Sequence, residues 1–198
     1  LVLMNGRPLT LTWEDKNLDA ILEAWYGGTK AGGAIVDVLF GDVNPSARLT
    51  MSFPRNEGQI PIYYNAKSTG RPLVPGEKYH SQYLDVSNDP LYPFGYGLSY
   101  TDFKYSDVAL NKSTLAPGEK LTVTATVSNT GKVAGIETVQ LYIRDLVGSI
   151  TRPVKELKGF RRIELAPGES KVVSFELSSE DLRFYNQELN FKAEPGAF

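Results

Sequence analysis

Pro90-Leu91-Tyr92-Pro93-Phe94-Gly95-Tyr96-Gly97-Leu98-Ser99-Tyr100 packs four aromatics, two prolines and two glycines into eleven residues. Each proline fixes its own φ and pushes its predecessor into an extended conformation. The glycines admit positive φ or the close approach of another backbone. Neither a helix nor a plain strand suits such a run. A rigid connector with aromatic anchors does, and an aromatic surface turn is the plainer alternative. The flanks favour the connector, because helical periodicity lies before it and strand alternation after it. An extended chain cannot point Tyr92, Phe94, Tyr96 and Tyr100 one way, so the expectation is that some face each module.

Composition narrows the classes. At 198 residues the chain holds one large or two small domains. Apolar content of 41% and charge of 22% are ordinary for a globular protein. A formal net charge of −2 offers no basic patch for nucleic acid. No apolar run approaches the roughly 20 residues that span a bilayer. With no cysteine and the single histidine His80, disulfides, thiolate metal sites, His-based metal sites and a classical triad are not expected. Leu1-Val2-Leu3-Met4 lacks the basic flank and length of a signal peptide, and the absence of Met at position 1 suggests a piece of a longer chain.

Outward from the connector toward the start, Leu1 to Leu3 reads as a buried strand entering the Asn5-Gly6-Arg7-Pro8 turn. Leu18, Ile21, Leu22 and Trp25 fall at i, i+3, i+4 and i+7, predicting an amphipathic helix ended by Gly27-Gly28. Ala31, Ala34, Ile35, Val38 and Leu39 predict a second helix, with Gly41 at its C′ position. The run Gly27 to Gly33 has the flavour of a phosphate loop but lacks the G-x-x-x-x-G-K-[ST] order, so a tight helix-to-helix turn is preferred. Asp42, Asn44 and Ser46 match part of a calcium loop without its terminal Glu, and read better as a polar turn. Arg48 to Phe53 alternates as a strand with Leu49, Met51 and Phe53 on one side. Strand, helix, helix, strand is the tail of an α/β layer, whose remaining strands are expected before Leu1.

From Gln59 to Asp89 periodicity fades into a polar loop carrying Arg71, Tyr79, His80, Tyr83 and Asp85. Tyrosines with an arginine suit sugar or aromatic ligands, and equally suit packing over a domain seam. After Tyr100 the rhythm has period two. Phe103, Tyr105 and Val108 predict a strand with a slip or bulge. Leu121 to Val127, Val139 to Ile143, Glu156 to Leu165, Val173 to Leu177 and Phe184 to Phe191 supply further strands. Short alternating strands with turns between them predict a β-sandwich. Leu115-Ala116-Pro117-Gly118-Glu119 recurs as Leu165-Ala166-Pro167-Gly168-Glu169, one type II turn used twice. Pro195-Gly196-Ala197-Phe198 leads into apolar sequence, so the sandwich is expected to lack its last strand.

The connector, with Asn5-Gly6-Arg7-Pro8, Ala24-Trp25-Tyr26-Gly27-Gly28, Leu39-Phe40-Gly41-Asp42-Val43-Asn44-Pro45-Ser46 and Ser52-Phe53-Pro54-Arg55, resembles glycoside hydrolase family 3, most of all its periplasmic β-glucosidases. Arg152-Pro153-Val154-Lys155-Glu156-Leu157-Lys158-Gly159-Phe160 resembles that family's fibronectin type III-like domain. The resemblance implies a larger retaining enzyme that hydrolyses terminal β-D-glucosyl residues, with a (β/α)₈-like barrel, an α/β sandwich and the fibronectin-like domain. This chain is then the end of the sandwich domain (residues 1–63), a loop and aromatic connector (64–100) and a truncated fibronectin-like domain (101–198). Retaining glycosidases use two carboxylates about 5 Å apart. The resemblance puts both upstream, so no catalytic residue, cofactor or metal ligand is expected here. Asp37 with Asp42, or Glu156 with Glu164, pair only on paper and read as surface charges. Arg71, Tyr79 and Tyr83 are the substrate-proximal candidates. The implied partners are a β-linked oligosaccharide or glucoside, the upstream domains, and a second copy in a homodimer, in a periplasmic or secreted setting. The alternatives are a non-catalytic carbohydrate-binding or adhesive module, a ligand-free scaffold, and a β-xylosidase parent.

Overall fold

A computed structural model describes residues 1–198, which divide into two compact units, Leu1–Leu98 and Ser99–Phe198. In the first, β1 (Val2–Leu3) and β2 (Leu22–Glu23) pair in parallel, Val2 beside Leu22 and Leu3 beside Glu23. Parallel strands need a crossover, and this one carries α1 (Thr12–Asn17). Glu14 and Asp15 in its first turn and Lys16 in its last complement the helix dipole. α2 (Ala31–Leu39) lies where the periodicity predicts, and Gly41 closes it at φ +85°, its N–H donating to the Val38 carbonyl at 3.1 Å.

Three expectations for this unit are corrected. The Leu18–Trp25 segment is not a helix. Leu18 already has extended geometry and Leu22–Glu23 is a strand. Spacing at i, i+3, i+4 is shared by a short apolar parallel strand and a helix, and periodicity alone cannot separate them. Arg48–Phe53 forms no regular strand. It meets the connector through Leu49 and Phe53, whose N–H groups donate to the Tyr96 and Tyr92 carbonyls at 2.8 Å. Pro93 on the facing chain has no N–H and Pro54 ends the run, so the ladder stops at a single bridge, Phe53 with Tyr92. Met51 is exposed while Ser52 and Phe53 are buried, which breaks the expected alternation. Finally, Leu1–Leu3 is strand at Val2–Leu3, but Leu1 and Val2 are exposed.

The connector is irregular, as its prolines require. Pro93 to Tyr96 turns with Gly95 at φ +81°, and the Tyr96 N–H donates to the Pro93 carbonyl at 3.1 Å. Three of its four aromatics, Tyr92, Phe94 and Tyr96, pack within the first unit, while Tyr100 belongs to the second. Tyr92 stacks on Tyr96 at 5.5 Å and meets Phe53 edge-on at 6.2 Å, while Phe94 stacks on Tyr64 at 4.1 Å. Phe53 is 1% exposed and also touches Trp25. Buried Gln59 locks the same region, accepting from the Arg55 N–H at 2.6 Å and donating to the Ser87 carbonyl at 2.7 Å.

The second unit is a β-sandwich. β3 (Phe103–Leu110), β4 (Lys120–Asn129) and β7 (Ser170–Ser178) form one antiparallel sheet in the order β3-β4-β7. β5 (Gly135–Ile143) and β6 (Glu156–Leu165) form the other. Val127 and Leu165 are fully buried, and with Val139, Val173 and Phe175 they make one core drawn from both sheets. The irregularity expected in β3 lies between Ser106 and Ala109, where Asp107 takes φ +51°. Both Pro-Gly segments are the same turn: Gly118 and Gly168 have φ +82° and +76°, and the Glu119 and Glu169 N–H groups donate to Ala116 and Ala166.

One expectation here is corrected. Phe184–Phe191 is not one strand but a hairpin of β8 (Phe184–Tyr185) and β9 (Phe191–Lys192). Buried Asn186 folds it back, its Oδ1 accepting from the Glu188 and Asn190 N–H groups. A second buried amide joins the two sheets. Asn129, 1% exposed, accepts at Oδ1 from the Thr101 hydroxyl (2.6 Å) and the Gly131 N–H (3.1 Å). Its Nδ2 donates to the Val133 (2.8 Å) and Leu165 (3.0 Å) carbonyls. The Arg152 of the fibronectin-like motif is nearly buried between Asp145 and Glu156, its guanidinium 3.9 Å above the Phe184 ring.

Candidate functional site

The loop that carries Arg71, Tyr79 and Tyr83 is built from two small lobes. In the first, the chain returns on itself so that residues 69–72 lie against 80–81. The Thr69 and Ser81 hydroxyls share a hydrogen bond of 2.8 Å, and the Ser81 N–H donates to the Arg71 carbonyl at 2.9 Å. His80 Nδ1 donates to the Pro72 carbonyl at 2.6 Å, because a carbonyl oxygen only accepts. Gly70 and Gly76, at φ +83° and +87°, turn the chain at the entrance and at the tip, where the Glu77 N–H donates to the Val74 carbonyl. Asn88 gathers the second lobe: its Nδ2 donates to the Ser81 carbonyl at 2.7 Å and its Oδ1 accepts from the Tyr83 N–H at 3.0 Å.

This skeleton is made of backbone and small polar groups, and the larger side chains point outward. Tyr79 is 83% exposed, Tyr83 43% and Leu84 97%, and Arg71 is exposed as well. Neither the Arg71 guanidinium nor the Tyr79 hydroxyl hydrogen-bonds another group of the chain. Each is therefore available to an external acceptor, and the Tyr79 ring offers a face on which an apolar surface can stack. Arg71 and Tyr79 flank the neck of the same lobe, whereas Tyr83 belongs to the next. Sequence reading singled out His80 for its type alone. It could not find the neck, because a hydroxyl pair of Thr69 with Ser81 and bonds from Ser81, His80 and Asn88 to carbonyls leave no periodic signal.

Other candidates separate. Glu156 and Glu164 sit eight positions apart on β6, about 26 Å at the usual 3.3 Å per residue, so they cannot converge on one bond. Asp37 lies in α2 and Asp42 in the turn after it, and Asp37 takes part in that turn through its backbone carbonyl, which accepts from Val43. His, Cys, Asp and Glu side chains form no group of three able to hold a metal ion. The glycine-rich run from Gly27 enters α2 and borders an apolar groove of about 590 Å³, lined by Leu22, Ala24, Ala31, Ile35 and Val38 among others. A Cβ on Gly27 would lie 2.2 Å from that of Ala31, so close packing rather than phosphate explains the glycine. No helix is long and apolar enough to cross a membrane.

Comparison with known proteins gives two family matches: the glycosyl hydrolase family 3 C-terminal domain over residues 1–100, and a fibronectin type III-like domain over residues 137–198. The chain is 56% identical over its whole length to a periplasmic beta-glucosidase of Salmonella typhimurium, of which it covers 26%. It is 49% identical over its whole length to a beta-xylosidase of Formosa agariphila, covering 27% of that protein. Among solved structures, a beta-glucosidase from Listeria innocua in complex with glucose superposes with a TM-score of 0.93 at 49% identity, over 98% of this chain and 27% of that one. The chain thus spans about a quarter of the length of the curated relatives it matches.

Proposed function

This chain belongs to glycoside hydrolase family 3, and from that premise we propose that it is the C-terminal part of a retaining β-glucosidase whose catalytic carboxylates lie outside these residues. One observation carries the reading: end-to-end similarity at 56% identity to a periplasmic beta-glucosidase almost four times as long. Residues 1–63 close the α/β sandwich domain, 64–100 form the loop and connector, and 101–198 are the fibronectin-like domain. The division into two compact units near Leu98 supports the boundary between the connector and the fibronectin-like domain. The chain's own task is structural, apart from the loop bearing Arg71, Tyr79 and Tyr83, which approaches the leaving-group side of a β-linked glucoside. The setting is the periplasm or the exterior, and the full-length enzyme pairs with a second copy of itself.

A second reading has its own support: the beta-xylosidase match at 49% identity favours a parent acting on β-xylosides. Assay of the full-length protein on matched aryl β-glucoside and β-xyloside separates the two. The first reading expects a higher kcat/KM on the glucoside, with the β-anomer of glucose as first product. Preference for the xyloside, or an α-anomeric first product, overturns it.

A further inference from the structure

We propose that His80 is the positioning residue of the 69–81 lobe, clasping it into the shape that presents Tyr79 and Arg71 to the second sugar of a β-linked disaccharide. The inference rests on the reading that this loop approaches substrate. Three bonds close the neck, and two of them join small hydroxyl or backbone groups: the hydroxyl pair of Thr69 and Ser81, and the backbone bond from Ser81 to Arg71. The third is the 2.6 Å bond from His80 Nδ1 to the Pro72 carbonyl. Only this one engages a ring of limited rotamer freedom, and His80 is half-buried while residues 71 to 79 are exposed. The clasp therefore holds the lobe from its base. Tyr79 immediately precedes His80 and Arg71 immediately precedes Pro72, so the two clasped residues are the direct neighbours of the two proposed ligand residues.

The chemistry of a second pyranose suits what is presented. A pyranose has an apolar face that stacks on an aromatic ring and equatorial hydroxyls that accept from a guanidinium. Tyr79 offers the ring at 83% exposure, and Arg71 the donors. Separating them by a rigid neck fixes their spacing in advance, which saves the ordering cost that a floppy loop would add to binding.

The test uses the full-length enzyme with a β-linked disaccharide and an aryl β-glucoside. Tyr79→Ala should raise the ratio of disaccharide KM to aryl-glucoside KM by about tenfold, and His80→Ala by a similar factor, carried by KM rather than kcat. In His80→Ala the Ser81 amide should exchange hydrogen faster. His80→Asn can donate from its amide to the same carbonyl and should restore most of the ratio. If Tyr79→Ala raises the ratio while His80→Ala leaves both the ratio and Ser81 exchange unchanged, the clasp is refuted and the loop reading stands. If His80→Ala frees the Ser81 amide but neither variant moves the ratio, the loop does not serve substrate and both ideas fall.

Discussion

Replacing Asn129 by aspartate removes two hydrogens and adds a charge at a place where the fold supplies no substitute for either. The native amide is 1% exposed and uses all four of its hydrogen-bonding positions, donating to the Val133 and Leu165 carbonyls and accepting from Thr101 and Gly131. A typical net bond contributes about 1 kcal/mol, and a buried group left unpaired costs about 1–3. Asn129→Ala forfeits four bonds, so at about 1 kcal/mol each a loss of about 4 kcal/mol is expected. Asn129→Asp keeps the two accepted bonds but sets a carboxylate against the two carbonyls. Near neutral pH it should be at least as damaging as alanine, although it is the closer isostere. The sign with pH follows. Burial and facing carbonyls favour the protonated acid, so the folded variant binds more protons than the unfolded chain, and its deficit grows as pH rises through the carboxylate range. Urea titration followed by far-ultraviolet circular dichroism, which reports mainly the sandwich strands, measures this at neutral pH and at about pH 4. An aspartate variant as stable as the parent chain at neutral pH, or one that gains stability as pH rises, would refute the reasoning.

Phe94→Ala, which removes the ring stacked on Tyr64 at 4.1 Å, should cost about 3 kcal/mol. Tyr105→Phe, which loses one bond of 2.7 Å to Glu137, should cost about 1.5 kcal/mol; equal urea midpoints would make the connector a mere surface turn. Burial, and then the Asp15 carboxylate that accepts its proton, hold the Tyr92 phenol well above the usual tyrosine range. Its contribution is full below that range and lost as pH rises through it, so Asp15→Asn should lower Tyr92's titration in alkaline ultraviolet absorbance and flatten the alkaline loss of stability. The Ala166 N–H, helped by Lys171, holds the Glu169 carboxyl below its ordinary value. That stabilisation is present above the unfolded carboxylate range and fades as pH falls through it. Glu169→Gln should therefore shift the urea midpoint less at about pH 3 than at neutral pH; an equal shift at both would contradict the charge assignment.

How much was legible follows from the kind of signal each element leaves. Strands with one buried face announce themselves by alternation, so β4 to β7 and the slip at Ser106 could be read directly, as could the repeated turn that needs glycine at positive φ. β2 could not, since two residues of a parallel strand beside Ile21 and Trp25 imitate a helical stripe. The failure at Arg48–Phe53 lay in its partner, because the prolines that interrupt the ladder belong largely to the facing connector. Asn129 and Asn186 escaped for a related reason. Each looks like an ordinary polar residue beside a turn, and only the three-dimensional arrangement shows that it is buried and fully used. In the candidate loop, composition pointed to Arg71, Tyr79 and Tyr83, while the neck that distinguishes a lobe from a slack tether is carried by carbonyls and hydroxyls with no sequence period.

The central claim is that these residues complete a glycosidase without supplying its reacting carboxylates. Its most direct test is aryl β-glucoside hydrolysis by two purified proteins, the full-length parent and the 198-residue chain, at equal molarity. The account predicts turnover with retained configuration by the parent and none above background by the chain. Turnover by the chain alone that disappears in Asp37→Asn or Asp42→Asn would contradict it.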